Sequence, residues 1–335
     1  MTTFATRANL LLIDNQSVTD ERPYMRLHEK VVVITGASQG LGQHLALQLA
    51  AEGAQVMLTA RNGERLAAIE ASIVAAGGSA KIFPTDLTNE DNCRDLITET
   101  LDQFGRIDNL VLNAAFATYG SLSELRTLAP LRDAMEINLF GAVMPTFYAL
   151  SELIERRGLI AYVTSGAGHL PMAGYLGYTT SKHAMNGFFE ALRLELAAHA
   201  VDVLTINPGD MYSDDGAGRT VFGPDGQEYK VDLSVRRRND IARRPTSEVA
   251  RRCVDAIIER RREIDLSPPI QKIGSRMRIF APGLIDARIM QKAATMRSAF
   301  DAIADEQHRS QHPEFQEDCT WCQSGRPTYI PVKHE

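Results

Sequence analysis

An apolar, β-branched run that ends in a glycine-rich turn constrains the fold of this chain most. Residues 31–35 have the sequence VVVIT, and the chain then passes Gly36, Gly40 and Gly42 into an apolar pattern with helical spacing. A strand, a tight turn and a helix start in this order place unpaired N–H groups and the positive end of a helix dipole together. This arrangement suits a pyrophosphate, although a similar turn also occurs as a plain connector. The strand and helix around it favour nucleotide binding.

The alternation of strand and helix continues for most of the chain. Strands are predicted at residues 31–35, 55–59, 80–83, 109–113, 159–164 and 201–207, with a last edge strand at 263–266. Helices are predicted at residues 41–51, 64–76, 90–104, 130–153, 178–199 and 246–261, the last capped by Thr246 or Ser247. Such alternation indicates βαβ units. The expected fold class is α/β, a doubly wound parallel sheet (Rossmann fold) of about seven strands with helices on both faces and a C-terminal helical extension.

We predict three regions along the chain. Residues 1–26 are polar and weakly patterned, which indicates an N-terminal arm. Residues 27–267 hold the catalytic domain, and residues 268–335 form a C-terminal extension. Within the domain, residues 210–245 break the alternation and are predicted to form a substrate lid, with a hairpin turn at Gly223-Pro224-Asp225-Gly226.

The start of the extension is both basic and apolar. Residues 268–296 predict one or two helices, broken near Pro282-Gly283, that pack over the substrate side or against a partner subunit. A basic amphipathic helix that lies on a membrane surface is the alternative. From the sequence we favour packing against protein.

Composition excludes several classes of protein. The net charge of −6 over 335 residues disfavours a nucleic-acid binder, which would carry a basic stripe. No apolar run reaches the length of a membrane span, and residues 1–12 do not form a secretory signal. Four cysteines in a chain of this length do not make a disulfide framework, so we expect a cytoplasmic protein.

The end of the second predicted strand bears on which dinucleotide is bound. An acidic residue at this point would hold the ribose hydroxyls of NAD, but the sequence is Thr59-Ala60-Arg61-Asn62. Arg61 is suited to pair with a 2′-phosphate through a charge-assisted contact. A solvated arginine at a helix start is the alternative. We therefore favour NADP(H) over NAD(H) as the cofactor.

A tyrosine and a lysine share one face of a predicted helix. Tyr178 and Lys182 are four residues apart, and side chains at this spacing are neighbours on a helix. A free phenol ionises near pH 10, and proton transfer near neutrality requires about 4 kcal/mol of help. An ammonium about 4 Å away supplies about 4 kcal/mol at an effective dielectric of about 20. The pair therefore suggests a tyrosine that transfers protons.

These motifs together resemble the short-chain dehydrogenase/reductase family from about Lys30 to Leu266. Residues 35–42, TGASQGLG, look like the TGxxxGxG cofactor turn of that family, and Tyr178 and Lys182 look like its YxxxK motif. Leu112-Asn113-Ala114-Ala115 resembles the NNAG segment, with Leu112 and Ala115 as departures. Met211-Tyr212-Ser213 stands where the family usually has a threonine after its PG pair.

The resemblance implies a set of site residues. The implied catalytic residues are Ser165, Tyr178, Lys182 and Asn138, with Ser165 thirteen positions before Tyr178. The implied cofactor-binding residues, with Arg61 added from the argument above, are Gly36, Ser38, Gln39, Gly40, Leu41, Gly42, Arg61, Asp86, Leu87, Asn113, Ala114, Ala115, Tyr178, Lys182, Pro208, Gly209 and Met211. His169 and Tyr175 are expected to line the substrate opening.

In the mechanism that the resemblance implies, hydride passes between nicotinamide and a carbonyl or carbinol carbon. Tyr178 would transfer the proton, and Ser165 would hydrogen-bond the substrate oxygen. Lys182 would favour the ionised phenol and bind the ribose, and Asn138 would hold a water that links Lys182 to solvent. The expected protein is an NADP(H)-dependent alcohol dehydrogenase or carbonyl reductase, and its expected substrate is a small molecule that is bulky, apolar or extended.

Three other functions stay open at this stage. They are an NAD-linked dehydrogenase, a non-catalytic sensor of NADP(H), and a lyase or epimerase that retains its nicotinamide. The resemblance also implies a homodimer or homotetramer built on the two long helices. We predict no metal site. His308, His312, Cys319 and Cys322 have spacings compatible with zinc, but scattered ligands in a polar tail are the favoured interpretation.

Overall fold

A seven-stranded parallel sheet forms the centre of the protein. The structure is a computed structural model that describes residues 26–125, 127–212, 219–223, 228–231 and 244–291. The sheet strands are β1 (Val31–Thr35), β2 (Gln55–Thr59), β3 (Ser79–Ile82), β4 (Asn109–Leu112), β5 (Leu159–Val163), β6 (Asp202–Asn207) and β11 (Glu263–Asp265). Their order is β11-β6-β5-β4-β1-β2-β3, and all neighbours pair in parallel. The predicted fold class is confirmed, and the predicted sheet strands differ from the observed ones by one residue at most at each end.

Helices cover both faces of this sheet. They are α1 (Gly40–Ala51), α2 (Gly63–Ala75), α3 (Glu90–Phe104), α4 (Ala129–Met135), α5 (Gly141–Arg156), α6 (Leu176–Leu196), α7 (Thr246–Ile258) and α8 (Pro269–Met277). Successive side chains of a strand point to opposite faces, so Val32 and Ile34 join the core beneath α1, α2 and α7, while Val33 joins the core beneath α3, α5 and α6. Fully burying each such side chain contributes roughly 1.5–3 kcal/mol.

The strand order reverses between β1 and β4. From β1 the chain adds β2 and β3 on one side and then returns to add β4, β5, β6 and β11 on the other. The helices that follow β1 and β4 therefore leave on opposite faces and open a crevice at the carboxyl ends of these two strands. In open α/β sheets this is the place where ligands bind.

A buried carboxylate holds the amino ends of β1 and β4 together, at the edge of the sheet opposite the crevice. Asp108 accepts hydrogen bonds from the backbone N–H of Val31 and from the side chains of Lys30 and Arg106, at 3.0, 3.0 and 2.6 Å. Burial acts to raise the pKa of Asp108, but the hydrogen bonds outweigh it and lower the pKa. The two central strands are thus fixed below the crevice.

The helix predicted over residues 130–153 is present within a continuous helical run, Ala129–Arg156, but this run contains an irregular turn that was not predicted. The structure has α4, then a π-type turn at Glu136–Phe140, then α5 with Pro145 inside it. An extra residue in a helical turn leaves the apolar spacing almost unchanged, so a periodicity argument does not detect it. The continuous run Ala129–Arg156 is long and apolar enough to cross a membrane by length and composition, contrary to the expectation from sequence. One side of this run packs against α3 and α6, and 39% of its most apolar window is buried.

Two other expectations need comment. Arg26, which was assigned to the arm, donates to Glu52, the C-cap residue of α1, and to Asp255 on α7. Neither Thr246 nor Ser247 caps α7: the N-cap position is Pro245, and the Thr246 hydroxyl donates instead to the backbone carbonyl of Tyr212. The remainder of the predicted arm, residues 1–25, lies outside the described residues.

The predicted lid, residues 210–245, contains regular structure. Strands β7 (Met211–Tyr212) and β10 (Arg244–Pro245) pair in parallel at its two ends. Strands β8 (Arg219–Phe222) and β9 (Glu228–Val231) pair antiparallel, as the predicted hairpin requires. The turn residues 224–227 lie outside the described part of the chain.

Candidate active site

The glycine turn after β1 has the backbone geometry that the sequence predicts. Gly36 and Gly40 have φ angles of 65° and 56°, a region that favours glycine. A Cβ on Gly42 would lie 2.2 Å from the carbonyl oxygen of Gly36, so only glycine lets α1 start this close to the turn. A Cβ on Gly40 would meet nothing within 4 Å, and the backbone there faces open space.

The start of α1 has the donors that an anion requires. Gln39 is the N-cap residue, but its side chain makes no capping hydrogen bond, and the first turn holds no acidic residue. The first N–H groups of a helix lack partners within the helix, and the dipole makes this end positive. Ser38 is half-buried beside them, while Leu41 is buried beneath the helix. This cradle fits a pyrophosphate.

The turn after β4 forms the opposite wall of the crevice. The Asn113 side chain donates to the backbone carbonyls of Thr35 and Gly36, both at 3.1 Å. The Thr35 hydroxyl accepts from the backbone N–H groups of Asn113 and Ala114, at 3.0 and 3.1 Å. The sequence argument did not give Thr35 a role of its own, although its position at the end of β1 was a signal. These bonds hold the two turns together.

Two arginines lie on the segment that follows β2. Arg61 is exposed two residues after the strand ends, where the sequence argument expects a 2′-phosphate contact. Arg65, in the first turn of α2, donates to the Gln39 side chain at 2.6 Å. The sequence argument missed Arg65, because its proximity to the glycine turn depends on a tertiary contact. Arg65 therefore adds a cation beside the start of α1.

The remaining predicted cofactor residues lie at the ends of the strands. The Asp86 carboxylate accepts from the N–H and hydroxyl of Thr88, and Leu87 is buried. Ala115 is exposed after β4, and Pro208 is buried after β6. The last two residues of the set are Gly209, beside the start of the extension, and Met211, beside the core.

Gly209 has a φ angle of 66°, and a Cβ there would lie 2.6 Å from the backbone carbonyl oxygen of Leu266. Met211 packs against the core beneath α1 and α7. This packing accounts for an apolar residue at position 211 and gives no support to a cofactor contact by its side chain.

Lys182 and Tyr178 lie close together on α6, but not as a simple ammonium–phenol pair. Lys182 is 1% exposed, and its Nζ lies 5.8 Å from the centroid of the Tyr178 ring. Nζ donates to the backbone carbonyl of Val163 at 2.8 Å and approaches the Met185 Sδ at 3.6 Å. Burial lowers the pKa of Lys182 to about 7. The amine is therefore a group that gains and loses a proton near neutrality.

Ser165 lies at the carboxyl end of β5, in the same crevice. It is the N-cap residue of a short 3-10 turn, and its hydroxyl oxygen accepts from the Ala167 N–H at 3.2 Å. The hydroxyl proton remains available for an oxygen in the crevice. The half-buried His169 follows the same turn, as expected for a residue near the opening.

Asn138 is fully buried in the π-type turn, and its side chain is occupied by protein groups. Its Oδ1 accepts from the Phe116 N–H at 2.6 Å. Its Nδ2 donates to the Phe116 carbonyl and to the Ser181 hydroxyl, both at 2.8 Å. Ser181 in turn donates to the Tyr178 carbonyl at 2.9 Å. Both protons of Nδ2 are thus used, so the side chain positions α6, and a water held by Asn138 stays a prediction.

Aromatic side chains pack together where the lid hairpin meets the segment after β4. Phe116 and Phe222, the latter on β8, have ring centroids 4.5 Å apart. Tyr119 and Tyr175 make an edge-on contact at 4.9 Å. Two backbone hydrogen bonds also join the hairpin to the segment after β4, from Phe222 N to Ala117 O and from Tyr119 N to Phe222 O. Residues 116–119, which also contact Asn138, therefore hold the hairpin of the lid in place.

A family model described as short chain dehydrogenase matches residues 30–219, which run from just before β1 into β8 and cover more than half of the chain. The chain belongs to the short-chain dehydrogenase family. This short-chain dehydrogenase is an oxidoreductase with a Rossmann fold, and the family's nicotinamide chemistry matches the cradle between β1 and β4.

Its relatives include several named enzymes. It is 32% identical over 258 residues to an 11-beta-hydroxysteroid dehydrogenase from Pinus massoniana, an alignment that covers 77% of this chain and 72% of the relative. It is 30% identical over 287 residues to dehydrogenase/reductase SDR family member 7B from Bos taurus, covering 83% and 85%. Alignments with six other plant relatives span only 55% to 65% of those proteins.

A solved structure gives the same relationship. The short-chain dehydrogenase is similar to a metagenomic short-chain oxidoreductase in complex with NADP, with 29% identity and a TM-score of 0.58. The match covers 72% of this chain and 98% of that one. The bound nucleotide of this neighbour agrees with a nicotinamide cofactor in the family.

Among the described residues, no group of three or more His, Cys, Asp or Glu side chains could hold a metal ion. His308, His312, Cys319 and Cys322 lie outside the described residues, so the zinc alternative stays untested. Cys93 and Cys253 are each buried, and burial raises the pKa of both thiols to about 12. They are therefore neutral core side chains.

Proposed function

We propose that this protein is an NADP(H)-dependent alcohol dehydrogenase or carbonyl reductase that interconverts an alcohol and a ketone or aldehyde. The observation that carries the proposal is the buried Lys182 amine, 5.8 Å from the Tyr178 ring. Ser165 and the open glycine turn lie at the same carboxyl edge of the sheet. A proton-transferring tyrosine is thereby combined with a dinucleotide cradle.

The residues of this chain have separate tasks in that reaction. A bound nicotinamide supplies or accepts the hydride. Tyr178 gives its phenolic proton to the substrate oxygen in reduction and takes it back in oxidation. The Ser165 hydroxyl donates a hydrogen bond to the same oxygen and stabilises charge that develops there.

Lys182 influences the ionisation of the Tyr178 phenol. Because burial lowers its pKa to about 7, Nζ can exchange its proton near neutral pH. The charged form favours an ionised phenol, and the neutral form accepts a proton from it. Asn138 and Ser181 fix the backbone of α6 at Tyr178, so the phenol keeps its direction.

The substrate class follows from the aromatic approach. The half-buried Phe116, Tyr175 and Phe222 provide aromatic surface near the site, while Tyr119 packs beneath Tyr175 and is buried. Several relatives are named 11-beta-hydroxysteroid dehydrogenases, a name that refers to a bulky, apolar secondary alcohol. Both facts support a bulky or apolar substrate.

The preference for NADP(H) is supported by Arg61, which follows β2, and by Arg65, which contacts Gln39 beside the start of α1. The segment Thr59–Gly63, where an NAD-binding chain would carry a carboxylate, contains no acidic residue. The NADP complex of a structural neighbour agrees with this preference. An NAD-linked enzyme of the same type is the second candidate.

The decisive test of catalysis is Tyr178→Phe. We expect about 10²- to 10⁴-fold loss of kcat in NADPH-dependent ketone reduction, because the proton donor is removed. Cofactor binding, followed by the fluorescence of NADPH, should persist. Tyr148→Phe is the matched control, since Tyr148 hydrogen-bonds Glu90 on the outer surface of α3 and α5. Near-normal turnover by Tyr178→Phe contradicts the mechanism.

The same screen separates the other functions. A sensor would bind NADPH without turnover of any ketone, aldehyde or alcohol by the unaltered protein. A lyase or epimerase would convert its substrate without net consumption of cofactor. Either result rejects the proposed reaction.

Arg61→Ala and Arg65→Ala test the choice of cofactor. We expect each to raise the KM for NADPH by about tenfold or more and to leave the KM for NADH nearly unchanged, because a charge-assisted contact to the phosphate is lost. Arg94→Ala is the control, since Arg94 pairs with Asp91 and Asp95 on the surface of α3. Equal effects on both cofactors would refute the phosphate contact.

A further inference from the structure

We propose that residues 268–291 form a docking surface for an anionic phospholipid membrane. This C-terminal surface comprises α8, the turn at residues 278–281 and the helix at residues 282–291. The proposal goes beyond the reaction assigned above and does not depend on it. It reverses the sequence-based preference for packing against protein.

Exposed apolar side chains are concentrated in this short segment. Among the described residues, sixteen large hydrophobic side chains are exposed, and seven of them lie here: Ile270, Ile273, Met277, Ile279, Phe280, Leu284 and Met290. Single exposed apolar residues need no explanation, but a contiguous group of this kind marks a binding surface. We therefore expect this segment to contact something outside its own domain.

Helix α8 is amphipathic in the reverse sense to a helix of a soluble domain. Ile270, Ile273 and Met277 occur at positions i, i+3 and i+7 and are exposed. The polar residues Gln271 and Lys272 are half-buried against the domain, and Lys272 donates to the backbone carbonyl of Asp265. The helix is thus held by its polar face and presents its apolar face outward.

The turn between the two helices carries two highly exposed apolar residues. Ile279 and Phe280 are 80% and 85% exposed. Their neighbour Arg278 pairs with Asp286 across the turn at 3.1 Å, which ties the two helices together. An isoleucine and a phenylalanine at a projecting turn suit insertion among lipid chains better than packing into a protein groove.

The charge of the segment distinguishes lipid from the other occupants. Four basic residues and one acid give residues 268–291 a net charge of +3. Lys272 is held against the domain and Arg278 pairs with Asp286, so Arg276 and Arg288 are the exposed cations of the surface. The whole chain has a net charge of −6. A basic, apolar surface on an acidic protein is complementary to anionic headgroups. A second copy of the same surface would bring like charges together.

The position of α8 connects the surface to the candidate active site. Gln271 Oε1 lies 3.5 Å from the place of a Cβ on Gly166, the residue next to Ser165. Gly209 also packs on the backbone of Leu266, just before the extension begins. A membrane bound to this surface would lie beside the opening of the crevice.

Vesicle co-sedimentation of the full chain tests the proposal. We expect binding to phosphatidylcholine vesicles that contain about one third phosphatidylserine, and much weaker binding to phosphatidylcholine alone. Ile279→Glu combined with Phe280→Glu should lower the binding by about tenfold or more. Val74→Glu, a change at an exposed apolar residue of α2, should leave it unchanged.

A second pair of variants tests the charges. Arg276→Glu with Arg288→Glu should abolish the preference for phosphatidylserine while thermal melting stays close to that of the unaltered protein. Binding that survives both pairs of changes would overturn the proposal. A fall in oligomer mass caused by the Ile279→Glu, Phe280→Glu pair without lipid would also overturn it, because a second copy would then be the occupant.

The outcome is independent of catalysis. Tyr178→Phe should bind these vesicles as tightly as the unaltered protein, since the C-terminal surface does not contain the tyrosine. Loss of turnover with retained vesicle binding, or the reverse, would therefore separate the two proposals.

Discussion

Lys182 is the residue at which the structure changes the chemical picture most. The sequence predicts an ammonium that stabilises an ionised phenol, and the structure instead gives a buried amine that donates to the Val163 carbonyl. Burial lowers the pKa of Lys182 from 10.5 to about 7. The folded state therefore binds its proton less tightly than the unfolded chain does.

This difference predicts a pH dependence of stability. Between pH 7 and 10.5 the unfolded chain keeps the lysine proton and the folded protein releases it, so the free energy of unfolding rises with pH by at most about 1.4 kcal/mol per unit. Below pH 7 both states are protonated and this contribution no longer changes. Lys182→Met removes the titrating group, so its stability relative to the unaltered protein should fall from pH 7 to pH 8.5.

Urea unfolding of the cofactor-free protein at these two pH values measures the effect. The difference between the two proteins cancels groups that they share, including the buried thiols of Cys93 and Cys253. A pH-independent difference would mean that Lys182 keeps its proton in the folded state.

The sequence predicts the identity of site residues better than the direction of their side chains. The spacing of Tyr178 and Lys182 places them on one face of α6, because helical neighbours are set by local geometry. The partner of the Lys182 amine is a carbonyl of β5, nineteen positions away in the chain. The contact of Arg65 with Gln39 is likewise tertiary, and periodicity and spacing contain no information about it.

At the scale of elements, strands were predicted more closely than helices. β1 and β2 match the predicted bounds fully, because β-branched and apolar side chains buried on both faces give an unmistakable run. The π-type turn at Glu136–Phe140 escaped prediction, since one inserted residue barely alters the apolar spacing. That turn brings Asn138 inside, so the error fell on a candidate functional position.

The cap of α7 was predicted from residue type, but in the structure the Thr246 side chain makes a different hydrogen bond. A threonine before an apolar run usually caps a helix. Here Pro245 fixes the extended backbone at the N-cap position, and the Thr246 hydroxyl donates to the backbone of β7. Because β7 and β10 bring residues 211–212 and 244–245 together, the competing partner comes from a distant part of the chain.

At the scale of the whole molecule, the two long helices α5 and α6 carry exposed apolar residues that suit subunit contacts. Phe147 on α5 and Leu194 on α6 are 68% and 74% exposed, and they lie on the two long helices that the family resemblance associates with subunit contacts. We expect a homodimer or homotetramer in solution. Phe147→Glu with Leu194→Glu should reduce the mass toward that of a single 36.9 kDa chain, because a buried unpaired charge opposes association.

Light scattering after size-exclusion chromatography measures this change, with Val74→Glu as the control at another exposed apolar position. A mass that is unchanged by the two glutamates would place the contact elsewhere on the protein. The Ile279→Glu, Phe280→Glu pair should keep the native mass in the same experiment.

The attachment of the hairpin has a consequence for how new specificities arise in such a protein. Phe222 meets the domain through main-chain bonds at Ala117 and Tyr119, and these bonds form with almost any sequence. Side chains elsewhere in the hairpin can therefore change by mutation while these main-chain bonds stay constant. Diversification of the pocket is in this way separated from the integrity of the scaffold.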